Sequence, residues 1–383
     1  IAKRVGEPVE IKYVLDLRDF PGDPIQDKIV HDYKTIAEDP EVKIVVETMG
    51  GVEPAYTFVK AMLEAGKHVT TSNKALVAAK GAELIALAKE KNVNFMFEAS
   101  VGGGIPIIRP LNYSLTAEKI DAITGILNGT TNYMLYKMST EGCEFDTVLK
   151  EAQQKGYAEA DPTADVEGYD ACRKIAILSS LAYERYFDFE DIYTEGITKI
   201  TPEDMEYAAK LGRTIKLLGT SRRLADGTCY AMVAPFMLGQ NSPLYSVNDV
   251  FNAVFVHGNM LGDAMFYGSG AGKLPTASAV VADILDCVKH IDTRKYVSWE
   301  EGSADYVDNC SDEPVRLFVL LSGDDFDGLV SEVENAFPGV SCIKNKFRNE
   351  TAFLTNAEKP SETLKKLAAF KNIRSRKILN TMI

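Results

Sequence analysis

Residues 156–176, GYAEADPTADVEGYDACRKIA, concentrate the side chains of this sequence best suited to chemistry. Glu159, Asp161, Asp165, Glu167 and Asp170 lead into Arg173 and Lys174, and two prolonged apolar blocks follow. The charges therefore open a helix that runs on into a core. Asp170 and Lys174 are four apart, which places them on one helical face. Pro162 disfavours helix for the residue before it, so Glu159 approaches that face from a loop. Carboxylates around one lysine suit an amino-acid-like substrate. The acids hold its ammonium, while the lysine meets an oxygen that gains or loses a proton. The bland alternative is a helix N-terminus with favourable acids and an i,i+4 pair contributing about 0.3–0.5 kcal/mol. The segment alone does not separate the two.

The elements upstream must position these groups. VEIKYVLDL (9–17) and KIVVET (43–48) read as strands, PAYTFVKAMLEAGK as a helix stopped by Gly66, HVTTSNK as a strand and turn, KGAELIALAKEKN as a helix, and VNFMFEAS as a strand. Such alternation predicts an α/β, doubly wound, Rossmann-type parallel sheet. Its ligand site lies at the carboxyl ends of the strands, at Asp16, Thr48, Ser72, Asn73, Lys74 and Glu98. Asp16 sits where an acid grips an adenosine ribose, and Arg18 could instead meet a 2′-phosphate, so NADP and NAD both stay open. Strand-end Asp and Arg are also ordinary turn residues. No G-x-G-x-x-G precedes the Asp16 strand in these 383 residues. The expected sheet thus has its first strand and glycine loop missing, with weak dinucleotide binding as the consequence.

VGGGIP (101–106) permits close backbone approach to a ligand or cation, or is simply a tight turn. ITGILNGTTNYMLYKM couples a strand to a helix through Asn128-Gly129-Thr130-Thr131, where the threonines can cap. ITKI, TIKLLGTSRR, TCYAMVAPFML and FNAVFVHGN suggest an open sheet with one face for catalysis and one for dimerisation. G-S-G-A-G (268–272) before a long amphipathic helix points backbone amides toward an anion or an amide-bearing ring. After the polar, acidic SADYVDNCSDEP (303–314) the chain reads β-α-β-β-α-β, a separate module of split-βαβ order. The expected domains are 1–100 for nucleotide, completed by 266–300, then 101–265 for an α+β catalytic and dimerisation domain, and 313–383 for the C-terminal module.

The net charge of −13 argues against nucleic acid. No apolar run is long enough to span a bilayer, and no charged-then-apolar leader opens the chain. Six cysteines, at 143, 172, 229, 287, 310 and 342, include no CxxC pair. They fit free thiols in a reducing cytoplasm rather than a disulfide frame or a zinc site, and four histidines make a histidine-built metal site unexpected. Cys172 and Ser100 lack a neighbouring base for nucleophilic work. Cys172 reads as an inert buried thiol, and His68 and His257 as structural.

ETMGG, TSNK, EASVGGGIPII, LNGTTNYML, GYAEADPTADVEGYDACRKIAIL and YGSGAGKLPTASAVVADIL closely resemble homoserine dehydrogenases, in order and at matching separations over about residues 9–300. The C-terminal module resembles ACT domains, with Asp325, Gly328 and Leu329 at the strand-to-helix position. The resemblance implies NAD(P)-dependent interconversion of L-homoserine and L-aspartate 4-semialdehyde, in threonine, methionine and isoleucine biosynthesis. It implies Lys174 as the acid/base lysine at the substrate hydroxyl and Lys74 as the second lysine, between substrate and nicotinamide. It implies Glu159 on the substrate ammonium, with Asp165 and Asp170 ordering the site. Thr48, Gly50, Gly51 and Gly270 fall at cofactor contacts. A monovalent cation such as Na⁺ is implied near Glu98 and the carbonyls of Val101, Gly103 and Ile105. Threonine is the implied effector of the module, and a homodimer or homotetramer the expected assembly, because open sheet edges need covering. A free lysine titrates near 10.4, so oxidation is expected to run best at alkaline pH. The alternative from another class is an amino-acid-binding regulatory protein whose truncated dinucleotide domain is inert.

Overall fold

The computed structural model describes residues 1–295, 297, 299–300, 302, 306–308, 314–371 and 373–382. Most of the expected linker 303–314, with Cys310 and with Glu313 at the start of the expected module, lies outside the described residues. Packing divides the chain into two units. One comprises 1–123, 173–191 and 256–304, and the other 124–172, 192–255 and 305–383. These bounds differ from the three consecutive stretches read from the sequence, because residues 101–123 and 173–191 join the first unit.

In the first unit, β1 (Val14–Leu15) pairs in parallel with β2 (Ile29–Val30). A second parallel sheet has the order β3 (Ile44–Glu47), β4 (His68–Thr71), β5 (Phe95–Met96). The strand expected over 9–17 shrinks to two residues. Only Ile29 and Val30 offer it partners, and Ile11 is left 61% exposed. Short helices α1 (Ala2–Val5) and α2 (Tyr33–Glu38) precede the longer α3 (Ala55–Glu64) and α4 (Lys74–Lys91). In α3, Ala55, Val59, Met62 and Leu63 form the buried stripe, the spacing that puts apolar residues on one face. Gly66 stops the helix at φ 74°, a left-handed backbone that glycine adopts without strain. His68 is structural, as expected. Its Nδ1 accepts from the Asn94 amide at 3.0 Å, so Nε2–H donates to the Ile291 carbonyl at 2.9 Å. Burial lowers its pKa, which keeps the ring neutral.

The second unit is built on a mixed sheet. Its strands are β6 (Ile120–Ile126), β7 (Tyr193–Thr194), β8 (Arg213–Arg223), β9 (Cys229–Gly239), β10 (Phe251–Gly258) and β12 (Val307–Asp308), residues 120–123 of β6 and 256–258 of β10 counting with the first unit. Then come β13 (Leu317–Ser322), β14 (Cys342–Asn345), β15 (Glu350–Leu354) and β16 (Ser375–Met382), while β11 (Gly262–Ser269) belongs to the first unit. The strand order is β10-β6-β8-β9-β16-β13-β15-β14, with β7 and β12 also pairing β9. With helices α11 (Phe326–Ala336) and α12 (Pro360–Ala368), the C-terminal segment realises β-α-β-β-α-β. It is not set apart from the middle sheet. β16 pairs in parallel with β9, Asn380 opposite Phe236 and Met382 opposite Leu238, which closes within the chain an edge that would otherwise need covering.

ITKI (197–200) is a turn rather than a strand. Ile197 and Ile200 are buried, and Thr201 and Asp204 cap each other's backbone at the start of α9 (Pro202–Lys210). That reciprocal cap, with Pro202 at the first helical position, ends any extended run.

Helix α5 (Gly129–Glu141) carries Asn132, whose amide donates to the carbonyls of Val247, Asp249 and Phe251. Its Oδ1 accepts from Lys216 Nζ at 3.1 Å, and Lys216 also donates to the Val247 carbonyl and Asn248 Oδ1. Lys216 is 1% exposed, and burial pushes its pKa down to about 8. Between pH 8 and the ordinary lysine range the unfolded chain binds the extra proton, so stability rises with pH there. The expected gain is of order 3 kcal/mol. Urea midpoints at pH 7 and pH 9.5 should show about 2 kcal/mol of this rise in the wild type and a much smaller change in Lys216→Met.

Candidate active site

In the first unit, the loop after β3 holds Thr48, Gly50 and Gly51, all exposed. No heavy atom lies within 4 Å of where a Gly50 Cβ would stand, and Gly51 has φ 76°. The backbone is therefore open on the side a Gly50 side chain would occupy. Lys74 is the first residue of α4, directly after the N-cap Asn73. Asp16 and Arg18 are engaged with each other. Arg18 donates from its amide at 2.9 Å, from Nε at 3.1 Å and from Nη2 at 3.0 Å, and these bonds hold the Asp16 carboxyl down at about 2.

Glu98 is 2% exposed. Its carboxylate accepts from the backbone amides of Ile107 at 2.7 Å, Ile108 at 3.0 Å and Arg109 at 2.8 Å. The Arg109 guanidinium bonds Asp283, which also accepts from the Glu98 amide at 2.9 Å. Burial is the main cause raising the Asp283 pKa to about 7, with Arg109 opposing it. The two glycine loops meet here. A Cβ on Gly103 would stand 2.6 Å from the Gly270 carbonyl, and one on Gly104 would stand 2.7 Å from Pro275 Cβ. VGGGIP thus needs its glycines to lie against residues 269–275 at the start of α10 (Lys273–Lys289). Val101, Gly103 and Ile105 are buried, and their carbonyls accept no backbone hydrogen bond found among the described residues.

In the second unit, Asn128 is the residue whose importance the sequence did not signal. It, and not a threonine, caps α5, accepting from the Thr131 amide at 2.9 Å. Its Nδ2 donates to Asp165 at 2.7 Å and to Asp170 at 2.9 Å, bringing those two carboxylates to one amide. Asp165 lies in α7 (Thr163–Val166) and Asp170 in α8 (Tyr169–Tyr183). Glu159 stands exposed between α6 (Phe145–Gln154) and α7, its carbonyl accepting from Gln153 at 3.1 Å. One turn after Asp170, where α8 passes into the first unit, it carries Lys174. Asp170 is 3% and Lys174 8% exposed. Cys172 is buried, and the Ser100 hydroxyl is occupied by the Phe97 carbonyl at 2.6 Å.

Among the described residues, no group of three or more His, Cys, Asp or Glu is arranged to hold a metal ion, and no helix is long and apolar enough to cross a membrane. The five described cysteines form no disulfide among the described residues.

A sequence model of homoserine dehydrogenase matches residues 106–285, and one of the homoserine dehydrogenase NAD-binding domain matches residues 5–98. The homoserine dehydrogenase of Bacillus subtilis is 45% identical over 296 residues, 75% of this chain and 67% of that protein. That of Corynebacterium glutamicum is 38% identical over 368 residues, 92% of this chain and 82% of that protein. The crystal structure of a homoserine dehydrogenase from Thiobacillus denitrificans superposes with a TM-score of 0.88 at 33% identity, covering 99% of this chain and 92% of that one. A hyperthermophilic archaeal homoserine dehydrogenase in complex with NADPH matches with a TM-score of 0.57 at 32% identity, covering 67% of this chain and 74% of that one. The chain belongs to the homoserine dehydrogenase family, with a Rossmann-like NAD-binding domain.

Proposed function

We propose that the chain interconverts L-homoserine and L-aspartate 4-semialdehyde with NADP or NAD. The nicotinamide, when bound, accepts or returns the hydride at the substrate carbon. Lys174 takes the hydroxyl proton during oxidation, and its ammonium gives the proton back during reduction. Lys74 is the second lysine, a cation between substrate and nicotinamide. Glu159 holds the substrate ammonium, and Asp165 and Asp170 order the site through Asn128. Asp16, Arg18, Thr48, Gly50, Gly51 and Gly270 are the residues that would hold the cofactor. Na⁺ would sit near Glu98 on the carbonyls of Val101, Gly103 and Ile105, and the lack of backbone donors to those carbonyls among the described residues supports it. The C-terminal segment is an ACT-like module that senses threonine, in a dimer or tetramer of the chain. Added threonine is expected to alter activity or melting temperature, and a change in neither would remove that role.

One observation carries the reading. Helix α8 buries Asp170 and, one turn on, Lys174, with Asp165 tied to Asp170 by a single amide. The test is NADPH oxidation at fixed cofactor across short aldehydes, with aspartate 4-semialdehyde expected to turn over best. Amino-acid binding without any NADPH binding would instead favour a purely regulatory protein.

A further inference from the structure

The loop after β3 and the helix that begins with Lys74 are joined by side chains that the proposed chemistry does not use. Glu47 ends β3 and stands in register with Thr71 at the end of β4. Both are buried. The Glu47 carboxylate accepts from the Met49 amide and from the Thr71 hydroxyl, and Thr71 Oγ1 in turn accepts from the Asn73 amide at 2.9 Å. Asn73, also buried, uses its side chain twice. Oδ1 accepts from the Leu76 amide at 3.1 Å and caps α4, while Nδ2 donates to the Gly51 carbonyl at 2.7 Å. Thr48, Met49, Gly50 and Gly51 are exposed, so packing does little to fix their height above the sheet. These hydrogen bonds do.

We infer that Asn73, backed by Thr71 and Glu47, is a positioning residue for the cofactor, fixing the loop 48–51 relative to Lys74. The inference rests on the proposed use of that loop for nicotinamide. Its two hydrogen bonds can be separated. Asn73→Asp and Asn73→Ser retain an oxygen that caps α4 about as well as asparagine, but neither donates to the Gly51 carbonyl in the same way. Serine adds no charge, so repulsion of cofactor phosphates cannot account for an effect the two share.

The experiment is a fluorescence titration of the full chain with NADPH, alongside melting temperatures and steady-state kinetics. Asn73→Ser should melt within about 2 °C of the wild type, since the cap is kept, whereas Asn73→Asp sets a second carboxylate beside the buried Glu47 and should melt lower. Their Kd for NADPH should rise about tenfold, the scale of one well-placed hydrogen bond, with KM for homoserine changed less than twofold. Asn73→Ala should lose affinity and melting temperature together. Wild-type affinity in the Asp and Ser variants overturns the inference alone. Absence of NADPH binding in the wild type overturns the proposed function and the inference with it.

Discussion

Replacing Glu98 with alanine is expected to destabilise the chain by about 4 kcal/mol, since each buried donor left unsatisfied costs roughly 1–3 kcal/mol. Three backbone amides converge on this one carboxylate, those of Ile107, Ile108 and Arg109, and Ile107 and Ile108 are buried. Among the described residues these amides have no other hydrogen-bond acceptor, and the Arg109 guanidinium would be left to Asp283 and Asp286. A urea titration at pH 7 checks this. A midpoint indistinguishable from the wild type would mean that the amides find other partners, and that Glu98 serves only the proposed cation. Glu98→Gln, which keeps one oxygen, should fall between the two.

The second large effect is catalytic. Lys174→Ala is expected to lower kcat at least about 100-fold, the low end of what a positioned acid/base contributes, while NADPH affinity stays near that of the wild type. The fold should survive. Alanine is the strongest helix former, and position 174 lies inside α8, between Tyr169 and Tyr183. Lys174→Met, which keeps most of the side-chain volume, should lose kcat to the same extent and separate proton transfer from packing. Normal turnover in either variant would remove Lys174 from the mechanism.

What was legible in the sequence was local. The apolar stripe of α3, the Gly66 stop and the alternating order of the C-terminal segment all follow from spacing and turn chemistry within a dozen residues. Lys174 one turn after Asp170 is equally local. What was not legible depends on partners distant in the chain. Asn128 looked like part of a capping sequence, but its carboxylate partners lie 37 and 42 residues away. Asn73 reads from the sequence as a strand-end residue, because its bond to Gly51 spans 22 positions. VGGGIP reads as a ligand or cation loop or a tight turn and GSGAG as an amide-presenting loop, but nothing local shows that their glycines also let the two loops lie against each other. Parallel pairing of β16 with β9 has no local signature at all. VEIKYVLDL was too long because a strand extends only as far as its neighbour does. Lys216 drew no attention, since nothing in TIKLL announces that its ammonium ends among neutral oxygens.

The central claim, that the amine of Lys174 moves the hydroxyl proton, is tested most directly by chemical rescue. Homoserine oxidation by Lys174→Ala would be followed at saturating cofactor while methylamine or ethylamine is added over a range of pH. A rate that climbs in proportion to the free-base form of the amine, with no such response in the wild type, is the predicted result. A variant whose rate ignores added amine at every pH, or that already turns over like the wild type without it, would contradict the claim.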